Sequence, residues 1–223
     1  MISTSASTVP ARRLVRDALL DAAAVLLPVR CAGCSVPDRS ICSACLRSLV
    51  PQERSRTVAG VTVCSGLDYD DVPRAVLLSF KDAGRVDAAP ALASALRSAV
   101  VAASAGEQVV PVLIPSTRSA WRRRGYHPTG MILSRSRVLV PPLWRALRLT
   151  RQTSDQAGLS SSEREHNREG SVVASARVAG RRCLLVDDIV TTGATLAEAT
   201  RAITAAGGVV VGAATIAQTP RRR

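Results

Sequence analysis

The stretch CLLVDDIVTTGAT, residues 183–195, places two adjacent carboxylates between an apolar run and a loop of small residues. Asp187 and Asp188 follow four apolar residues, which is typical of the end of a buried strand. Two such carboxylates can accept hydrogen bonds from the vicinal hydroxyls of a ribose. The loop leads into a predicted helix, whose N-terminal N–H groups can bind a phosphate. The predicted phosphate-binding residues are Thr191, Thr192, Gly193, Ala194 and Thr195.

Three other interpretations of this stretch compete with a ribose-phosphate site. A Walker B acid pair requires a GxxxxGK[ST] loop, and the only lysine, Lys81, follows Phe80. A dinucleotide-binding fold is weakly supported, because the glycines of GGVVVG at 207–212 have the wrong spacing and lie between a predicted helix and strand. An acidic turn with a threonine helix cap is the alternative that requires no ligand.

Four cysteines form a second pattern with chemical meaning. Cys31 and Cys34 make one CxxC turn, and Cys42 and Cys45 make another, with seven residues between the two turns. Two such turns can direct four thiolates at one tetrahedral zinc ion, and a site closed by four sulfurs is structural. The alternative is a thioredoxin-like redox pair, which normally has one CxxC beside a βαβ unit. Cys64 and Cys183 lie in apolar runs and are predicted core residues.

The elements that must position these residues alternate between helix and strand from residue 70 onward. This alternation predicts a parallel sheet covered by helices on both faces, with ligands at the carboxyl ends of the strands. The predicted helices are 14–26, 72–80, 87–103 and 195–206, and the predicted strands are 58–67, 109–114, 183–186 and 209–216. A basic loop at 117–128 follows the second of these strands and carries Arg118, Arg122, Arg123 and Arg124.

The division of the chain follows from these patterns. Residues 1–56 are predicted to form an N-terminal helix and zinc knuckle, and residues 57–223 the main α/β domain. Within that domain, 134–176 is polar and weakly periodic, and we predict a flap or hood there. Ser160 and Glu163 have the spacing of a capping box and predict a short helix inside this segment.

Composition limits the classes of function. The net charge is +13, which is typical of proteins that bind polyanions, yet Lys81 is the only lysine among 30 cationic residues. Such an arginine-rich and alanine-rich composition is also what a GC-rich genome produces, so charge alone leaves nucleic-acid binding open. Arginines and aspartates interrupt the N-terminal apolar residues, which argues against a signal peptide or membrane insertion. We therefore expect a cytoplasmic protein.

The order of strand, two acids and TTGAT resembles the 5-phosphoribosyl-1-pyrophosphate (PRPP) motif of type I phosphoribosyltransferases. Further segments are similar to the ComF family of competence and amidophosphoribosyltransferase-like proteins, and the resemblance covers nearly the whole chain. These segments are CAGC and CSAC, YDDVPRAVLLSFKDAGR, IPSTRSAWRRRGY, LTRQTSDQAGLSSSEREHNREG and VDDIVTTGAT. The resemblance implies a type I phosphoribosyltransferase-like parallel sheet flanked by helices, with a small N-terminal four-cysteine zinc knuckle.

The resemblance also implies roles for individual residues. Asp187 and Asp188 would bind ribose, residues 191–195 the 5-phosphate, and the loop from Ser116 and Thr117 to Arg124 the pyrophosphate with Mg²⁺. Arg124 would stabilise the departing pyrophosphate, and Asp188 would act as a base or as an electrostatic partner of the sugar. Arg124-Gly125-Tyr126 matches a family triplet, but the family usually continues with asparagine and glutamine where this chain has His127-Pro128.

Two hypotheses of different classes follow. The first is a phosphoribosyltransferase that binds Mg-PRPP, or a related phosphorylated ribose, and acts on an unidentified acceptor. The second is a non-catalytic competence protein that supports uptake of transforming single-stranded DNA together with the competence machinery. Trp121 and Tyr126 lie within the basic loop, and such interleaving of aromatic and basic residues suits single-stranded DNA or a nucleobase. The sequence predicts neither the acceptor nor the oligomeric state.

Overall fold

The computed structural model describes residues 29–37, 39–138, 142–150 and 170–220. The predicted helix at 14–26 and the capping box at 160–163 lie outside the described residues. The described helices are α1 (Ser43–Ser48), α2 (Asp71–Asp82), α3 (Ala89–Ser104), α4 (Arg118–Arg124), α5 (Pro128–Ser136) and α6 (Ala194–Ala205). The strands are β1 (Arg54–Val58), β2 (Val61–Asp68), β3 (Val110–Leu113), β4 (Leu147–Leu149), β5 (Val172–Ala174), β6 (Arg182–Val190) and β7 (Val209–Gln218).

Five of these strands form the main sheet, in the order β1, β2, β7, β6, β3. The pairs β2–β7, β7–β6 and β6–β3 are parallel, whereas β1 pairs antiparallel with β2 at the edge. Strands β4 and β5 make a separate antiparallel pair. The sequence therefore predicted the parallel strands of the sheet correctly, but it did not predict the antiparallel edge strand β1.

The two faces of the sheet bury different residues of β6. Leu184 and Val186 lie in the core cluster that contains the buried residues of α2, α3 and α5. Cys183 and Leu185 lie in the opposite cluster, with the buried residues of α6. Successive side chains of a strand point to opposite faces, so burial on both faces explains the uninterrupted apolar run. Cys183 is fully buried in this run, as predicted for a core residue.

Helix α3 lies directly against the sheet because its residues and the strand residues beneath it are small. A β carbon on Gly66 of β2 would lie 2.2 Å from the carbonyl oxygen of Ala95 in α3. This close approach allows α3 to bury seven of its residues, four of which are alanines. Residues 86–104 are long and apolar enough to cross a membrane by length and composition alone, but half of that stretch is buried inside the protein. The contacts of α3 with β2 and β7 are those of a core helix.

Two differences from the predicted elements concern the proposed site. The strand predicted at 58–67 is interrupted by Ala59 and Gly60, whose φ angles of 48° and 78° form a tight turn between β1 and β2. The basic segment predicted as a loop at 117–128 is largely helical, since it contains α4 and the first residue of α5. The predicted boundary between residues 56 and 57 falls inside β1.

Candidate active site and metal centre

The two acids lie at the carboxyl end of β6, between β7 and β3. Strand alternation places Asp188 on the same face as Leu184 and Val186, which is the face covered by α2. The Asp188 carboxylate forms an ion pair with the ammonium group of Lys81, with Oδ2 and Nζ 2.6 Å apart. Asp187 accepts a hydrogen bond through its Oδ1 from the backbone N–H of Asp188, at 2.8 Å. Asp188 therefore contacts α2, and the two carboxylates lie close enough to interact with each other.

The electrostatic environment of Asp187 disfavours its charged form. Burial raises the pKa of this carboxyl well above its usual value, and the neighbouring Asp188 carboxylate raises it further. The N–H of Asp188 and the ammonium of Lys81 lower the pKa but do not compensate. A ligand that donates hydrogen bonds to this carboxylate would recover part of that cost, which is a property of binding sites.

The loop after the acids leads into helix α6 at a glycine. Any other residue at this position would be strained. Gly193 is the N-cap of α6 and has a φ of 87°, in the left-handed region. A β carbon at this position would lie 2.5 Å from Cγ1 of Val58 in β1. Residues 191–194 and the hairpin residues 56–59 line a cleft of about 490 Å³. The predicted phosphate-binding loop therefore has the β1–β2 hairpin as its second wall.

The end of the predicted pyrophosphate loop, at Arg124 and Tyr126, packs against the end of α2. The carbonyl of Phe80 accepts a hydrogen bond from the Tyr126 hydroxyl at 2.7 Å, and that of Lys81 accepts one from Arg124 Nε at 2.7 Å. The last carbonyls of a helix have no partner within the helix, so these two side chains satisfy them. Arg124 also pairs with Asp82, at 3.1 Å. The Arg-Gly-Tyr triplet thus fixes the helix end that carries Lys81.

The remaining residues of the basic segment differ in exposure. Thr117 caps α4 by accepting a hydrogen bond from the N–H of Ala120, at 3.2 Å. Arg122 and Arg123 are exposed, whereas the Arg124 side chain is only 13% exposed. Residues 115–118, which include Ser116, line a second cleft of about 360 Å³ together with residues 147–150 of the β4 region. The structure therefore brings the predicted pyrophosphate loop against the predicted hood.

His127 and Pro128, which depart from the family pattern, begin helix α5. His127 Nδ1 accepts a hydrogen bond from the N–H of Gly130 at 3.2 Å, and Nε2 lies 3.0 Å from the carbonyl oxygen of Ile114. This arrangement requires the neutral tautomer with its proton on Nε2, and burial lowers the His127 pKa in agreement. Pro128 occupies the start of the helix, where proline is favoured. The pair therefore supplies the cap that an asparagine can also supply.

The four predicted zinc ligands come together. The sulfur atoms of Cys31, Cys34, Cys42 and Cys45 all lie within 4.8 Å of one another, and those of Cys34 and Cys42 are 3.6 Å apart. Four sulfurs around one zinc ion at bond lengths of ~2.3 Å are about 3.8 Å apart, so this donor set fits tetrahedral zinc.

Backbone N–H groups stabilise the thiolate form of one of these sulfurs, that of Cys31. The N–H groups of Gly33 and Cys42 donate to the Cys31 sulfur at 3.4 Å and 3.3 Å. Burial raises the Cys31 pKa, but these backbone hydrogen bonds outweigh burial and lower it to about 6. A thiolate is the form that binds zinc, so these hydrogen bonds favour the metal-binding state of Cys31, whereas burial raises the pKa of Cys45.

The knuckle is attached to the same helix that carries Lys81. The Ser79 hydroxyl of α2 donates to the carbonyl of Ala32 at 3.0 Å. Arg85, just beyond α2, donates to the carbonyls of Arg30 and Ser40 at 2.7 Å and 3.3 Å. The zinc-binding turns therefore hold the helix end from one side, while Arg124 and Tyr126 hold it from the other.

Comparison with known proteins bears directly on this arrangement. Residues 132–223, which contain the acids and the glycine loop, match the phosphoribosyl transferase domain family. The chain is 29% identical to the DNA utilization protein YhgH of Escherichia coli strain K12 over 177 residues, which are 75% of this chain and 74% of that protein. The C-terminal part of the chain is therefore similar to phosphoribosyl transferase domains, and the similarity to YhgH extends over three quarters of the chain. A DNA utilization protein YhgH from Shigella flexneri is 28% identical over the same shares of both chains.

Sequence reasoning did not identify Lys81 as a residue of this candidate site. Its contact with Asp188 joins segments more than 100 residues apart, which no local pattern reveals. One signal was nevertheless present. Lys81 is the only lysine in a chain whose other basic residues are arginines, and it precedes the DAGR segment shared with the family. A lysine kept against such a composition indicates a need for a compact ammonium group.

Proposed function

We propose that the chain binds Mg-PRPP at the carboxyl end of β6 and transfers its phosphoribosyl group to an acceptor. The observation that carries this proposal is the juxtaposition of Asp187 and Asp188 with a glycine loop on one side and the Lys81 ammonium on the other. A ribose bound to the acids would direct its 5-phosphate to the loop at 191–195 and its pyrophosphate toward Lys81. Both anionic ends of the substrate would then meet positive electrostatic potential.

The proposed roles follow the geometry of each residue. Asp187 and Asp188 accept hydrogen bonds from the ribose hydroxyls, and Asp188 offsets positive charge that develops on the sugar as pyrophosphate leaves. Mg²⁺ arrives with the substrate and neutralises its pyrophosphate. Lys81, Ser116 and Thr117 bind the leaving group. Arg124 acts as a positioning residue, since its guanidinium is engaged by the carbonyl of Lys81 and by Asp82.

Two further assignments accompany this proposal. The α/β domain extends from the beginning of the main sheet to residue 223, and the region before it forms the zinc-binding unit. We assign the protein to the cytoplasm, where a reducing environment keeps cysteine thiols available to a metal ion. The 134–176 segment begins with the end of α5 and contains β4 and β5, with residues 139–141 and 151–169 outside the described part, and we assign it as the hood over the acceptor.

Calorimetric titration with PRPP and Mg²⁺ tests the proposal. The zinc-loaded wild type is expected to bind, and the Asp187→Ala, Asp188→Ala double variant is expected to show no measurable binding. Asp70→Ala is the matched control, because Asp70 is exposed and makes no capping hydrogen bond at the start of α2. Failure of the folded wild type to bind would overturn the transferase proposal, as would equal binding by the double variant.

A second candidate function is binding of single-stranded DNA through α4. Trp121 is 48% exposed, and Arg118, Arg122 and Arg123 on the same short helix are exposed as well. An aromatic ring among arginines can stack on a base while the guanidinium groups bind phosphates. The curated relatives are named DNA utilization proteins, which is consistent with this candidate.

The DNA-binding candidate is tested by fluorescence anisotropy of a labelled oligothymidylate at several salt concentrations. Arg122→Gln with Arg123→Gln should weaken binding and make its dependence on salt shallower, since each lost phosphate contact removes about 0.7 from the logarithmic slope. The Asp187→Ala, Asp188→Ala variant should bind DNA like the wild type. Unchanged affinity in the arginine variant would exclude α4 as the DNA-binding surface.

A further inference from the structure

The carbonyl of Ile114, just before the predicted pyrophosphate loop, lacks the backbone donor that a regular sheet would provide. Ile114 follows β3 directly, and its N–H donates to the carbonyl of Val186 in β6, at 3.1 Å. A regular parallel ladder would continue with the N–H of Asp188 donating to the Ile114 carbonyl. That N–H donates to Oδ1 of Asp187 instead, at 2.8 Å. The ladder between β3 and β6 therefore stops at the two acids.

His127 supplies the donor that β6 does not. Its Nε2 lies 3.0 Å from the Ile114 carbonyl oxygen, and since a carbonyl oxygen only accepts hydrogen bonds, Nε2 carries the proton. Ile114 is only 7% exposed, so loss of this donor would leave a buried carbonyl unpaired, at a cost in free energy. A side chain from the start of α5 thus completes the hydrogen bonding at the point where β3 ends.

The same imidazole is held in place on its other side. Nδ1 accepts a hydrogen bond from the N–H of Gly130 at 3.2 Å, and the ring lies beside that of Trp121, with the two centroids 6.5 Å apart. In a neutral imidazole, acceptance by Nδ1 places the proton on Nε2. The capping bond of α5 therefore sets the tautomer that donates to Ile114, and both ring nitrogens are engaged within the protein.

The Ile114 carbonyl is one of two fixed points that bound a very short loop. Residues 115–117 run from this carbonyl to α4, where Thr117 accepts the capping hydrogen bond from the N–H of Ala120. Pro115 restricts the backbone further, because its ring fixes φ. This loop lines the cleft of about 360 Å³ that faces the predicted hood. The hydrogen bond from His127 therefore sets the position from which the loop leaves the sheet.

We propose that His127 is a positioning residue for the pyrophosphate end of the site, because its Nε2–H fixes the Ile114 carbonyl and thereby the loop that carries Ser116 and Thr117. This inference rests on the proposed function and deepens it, since it assigns a role at that end to a side chain that does not contact the ligand. His127 acts through the backbone of its neighbours.

Two ligands separate the ends of the proposed site by calorimetry. Ribose 5-phosphate carries the 5-phosphate alone, and Mg-pyrophosphate occupies only the other end of the proposed site. His127→Asn keeps an acceptor at the position of Nδ1 but has no atom at that of Nε2. It should bind Mg-pyrophosphate about tenfold more weakly than the wild type, as expected for loss of one hydrogen bond. Its affinity for ribose 5-phosphate should change by less than about twofold.

His127→Gln is the matched control. Its amide nitrogen can take the position of Nε2 and donate to Ile114, whereas no atom replaces Nδ1 as the cap of α5. It should bind Mg-pyrophosphate within about threefold of the wild type, although its melting temperature falls with loss of the cap. A merely structural role of His127 would weaken both variants alike, because each of them loses one of the two hydrogen bonds.

A measurement on a protein with an intact His127 does not depend on whether its variants fold. The nitrogen NMR spectrum of the wild type should show His127 as the neutral tautomer protonated on Nε2. This Nε2–H signal should shift on addition of Mg-pyrophosphate but not of ribose 5-phosphate. His127 and His166 are the only histidines, so the spectrum of His166→Gln identifies the signal. A proton on Nδ1, or no response to Mg-pyrophosphate, would overturn the role of His127.

The outcomes separate this inference from the proposed function. If the wild type binds Mg-pyrophosphate and the asparagine and glutamine variants bind it with equal affinity, the role of His127 is overturned while the proposed function stands. A wild type that binds Mg-PRPP but not Mg-pyrophosphate would also overturn it, because the role requires a loop that is positioned before the sugar binds. If the folded wild type binds neither ligand, the proposed function fails and this inference fails with it.

Discussion

The two ends of the proposed substrate site are built in different ways. At the 5-phosphate end, the acids, the loop and the start of α6 come from 13 consecutive residues, 183–195. At the pyrophosphate end, Lys81 is positioned by contacts from three separate regions: the zinc knuckle, the Arg-Gly-Tyr triplet and the acid Asp188. The loop of the first end is a local structure against which the β1–β2 hairpin packs, whereas the position of Lys81 depends on tertiary contacts throughout.

This difference determines how each end responds to a substitution or to loss of the metal. A strand, a tight loop and a helix N-terminus keep their geometry as long as the sheet is intact, because the backbone of β6 is hydrogen-bonded on both sides. The ammonium of Lys81 keeps its position only if the end of α2 is held. The knuckle bonds to this helix through Ser79, and to the segment that follows it through Arg85. Loss of zinc should therefore affect the pyrophosphate end first.

Replacement of a zinc ligand should have the largest effect. Cys45→Ser is expected to abolish stoichiometric zinc and to unfold the knuckle, since metal binding supplies the free energy of folding in such small sites. Hydrogen exchange should then accelerate at residues 79–85 while β6 and β7 remain protected. Affinity for Mg-pyrophosphate should fall more than affinity for ribose 5-phosphate.

Cys64→Ala is the matched control for this experiment, because Cys64 is a buried core cysteine outside the metal cluster. It should lower the free energy of unfolding without changing the zinc content. Equal acceleration of hydrogen exchange across the whole sheet in Cys45→Ser would contradict the comparison between the two ends.

The second prediction separates binding from stability at Asp187. Asp187→Asn removes a carboxylate whose folded pKa is raised, so the folded protein no longer has to bury its charge. The melting temperature should rise, by about 2–4 °C for each kcal/mol relieved. Mg-PRPP affinity should fall about tenfold to a hundredfold, as expected when a charged acceptor of hydrogen bonds is replaced by a neutral one.

The sign of the pH dependence follows from linkage. Because the folded pKa of Asp187 lies above its unfolded value of about 3.9, ionisation destabilises the folded state as pH rises through the interval between the two pKa values. The stabilisation by Asp187→Asn should therefore be small near pH 4 and should increase toward neutral pH. A stabilisation that does not depend on pH would refute the electrostatic explanation.

The same division between local and tertiary construction explains what could be predicted from the sequence. The path from Cys183 to Ala205 was predictable as strand, loop and helix because its periodicity, its glycine and its small residues are consecutive. The paired CxxC turns also predicted a cluster that the structure forms. Both signals lie within short windows of the chain.

Other features were not predictable because their causes lie outside such windows. Helix α4 has seven residues, none of them buried, so no apolar periodicity marks it, and its limits are set by the Thr117 cap and by Gly125. The role of Val58 beside Gly193 depends on a contact between segments 135 residues apart. The ion pair between Lys81 and Asp188 likewise depends on the packing of α2 against the sheet.

The third prediction tests the pyrophosphate end without disturbing the knuckle. Lys81→Met removes the ammonium but keeps much of the apolar stem, and the backbone carbonyl that binds Arg124 remains. Affinity for Mg-pyrophosphate should fall about tenfold, and affinity for ribose 5-phosphate should fall less. Calorimetric titration of the variant and the wild type with each ligand measures this difference.

Lys81→Arg is the control for the third prediction, since it retains the charge in a larger planar group. It should bind Mg-pyrophosphate more tightly than Lys81→Met. If Lys81→Met lowers the affinity for both ligands equally, Lys81 acts by neutralising Asp188 rather than by contacting the pyrophosphate.

The smallest predicted effect concerns Glu198, which holds strand β5 of the hood against α6. Its buried carboxylate accepts hydrogen bonds from the N–H of Val172, at 3.1 Å, and from Arg201, at 2.7 Å. Burial raises the Glu198 pKa, but the hydrogen bonds from Arg201 and Val172 outweigh burial and lower it. This contribution to stability is therefore present at neutral pH and is lost as pH falls through the folded pKa.

Glu198→Ala should reduce the free energy of unfolding by about 1–3 kcal/mol, because the Val172 N–H would be left without its acceptor. Glu198→Gln keeps a neutral acceptor there and should cost less. Chemical denaturation at pH 7 measures the free energy of unfolding of both variants. Calorimetry shows whether their ligand affinity changes as well. Since the 5-phosphate end depends on local backbone geometry, Glu198→Gln should bind ribose 5-phosphate within about twofold of the wild type. A larger loss would mean that the hood, through α6, also shapes the loop at Gly193, and the 5-phosphate end would then depend on tertiary contacts as the pyrophosphate end does.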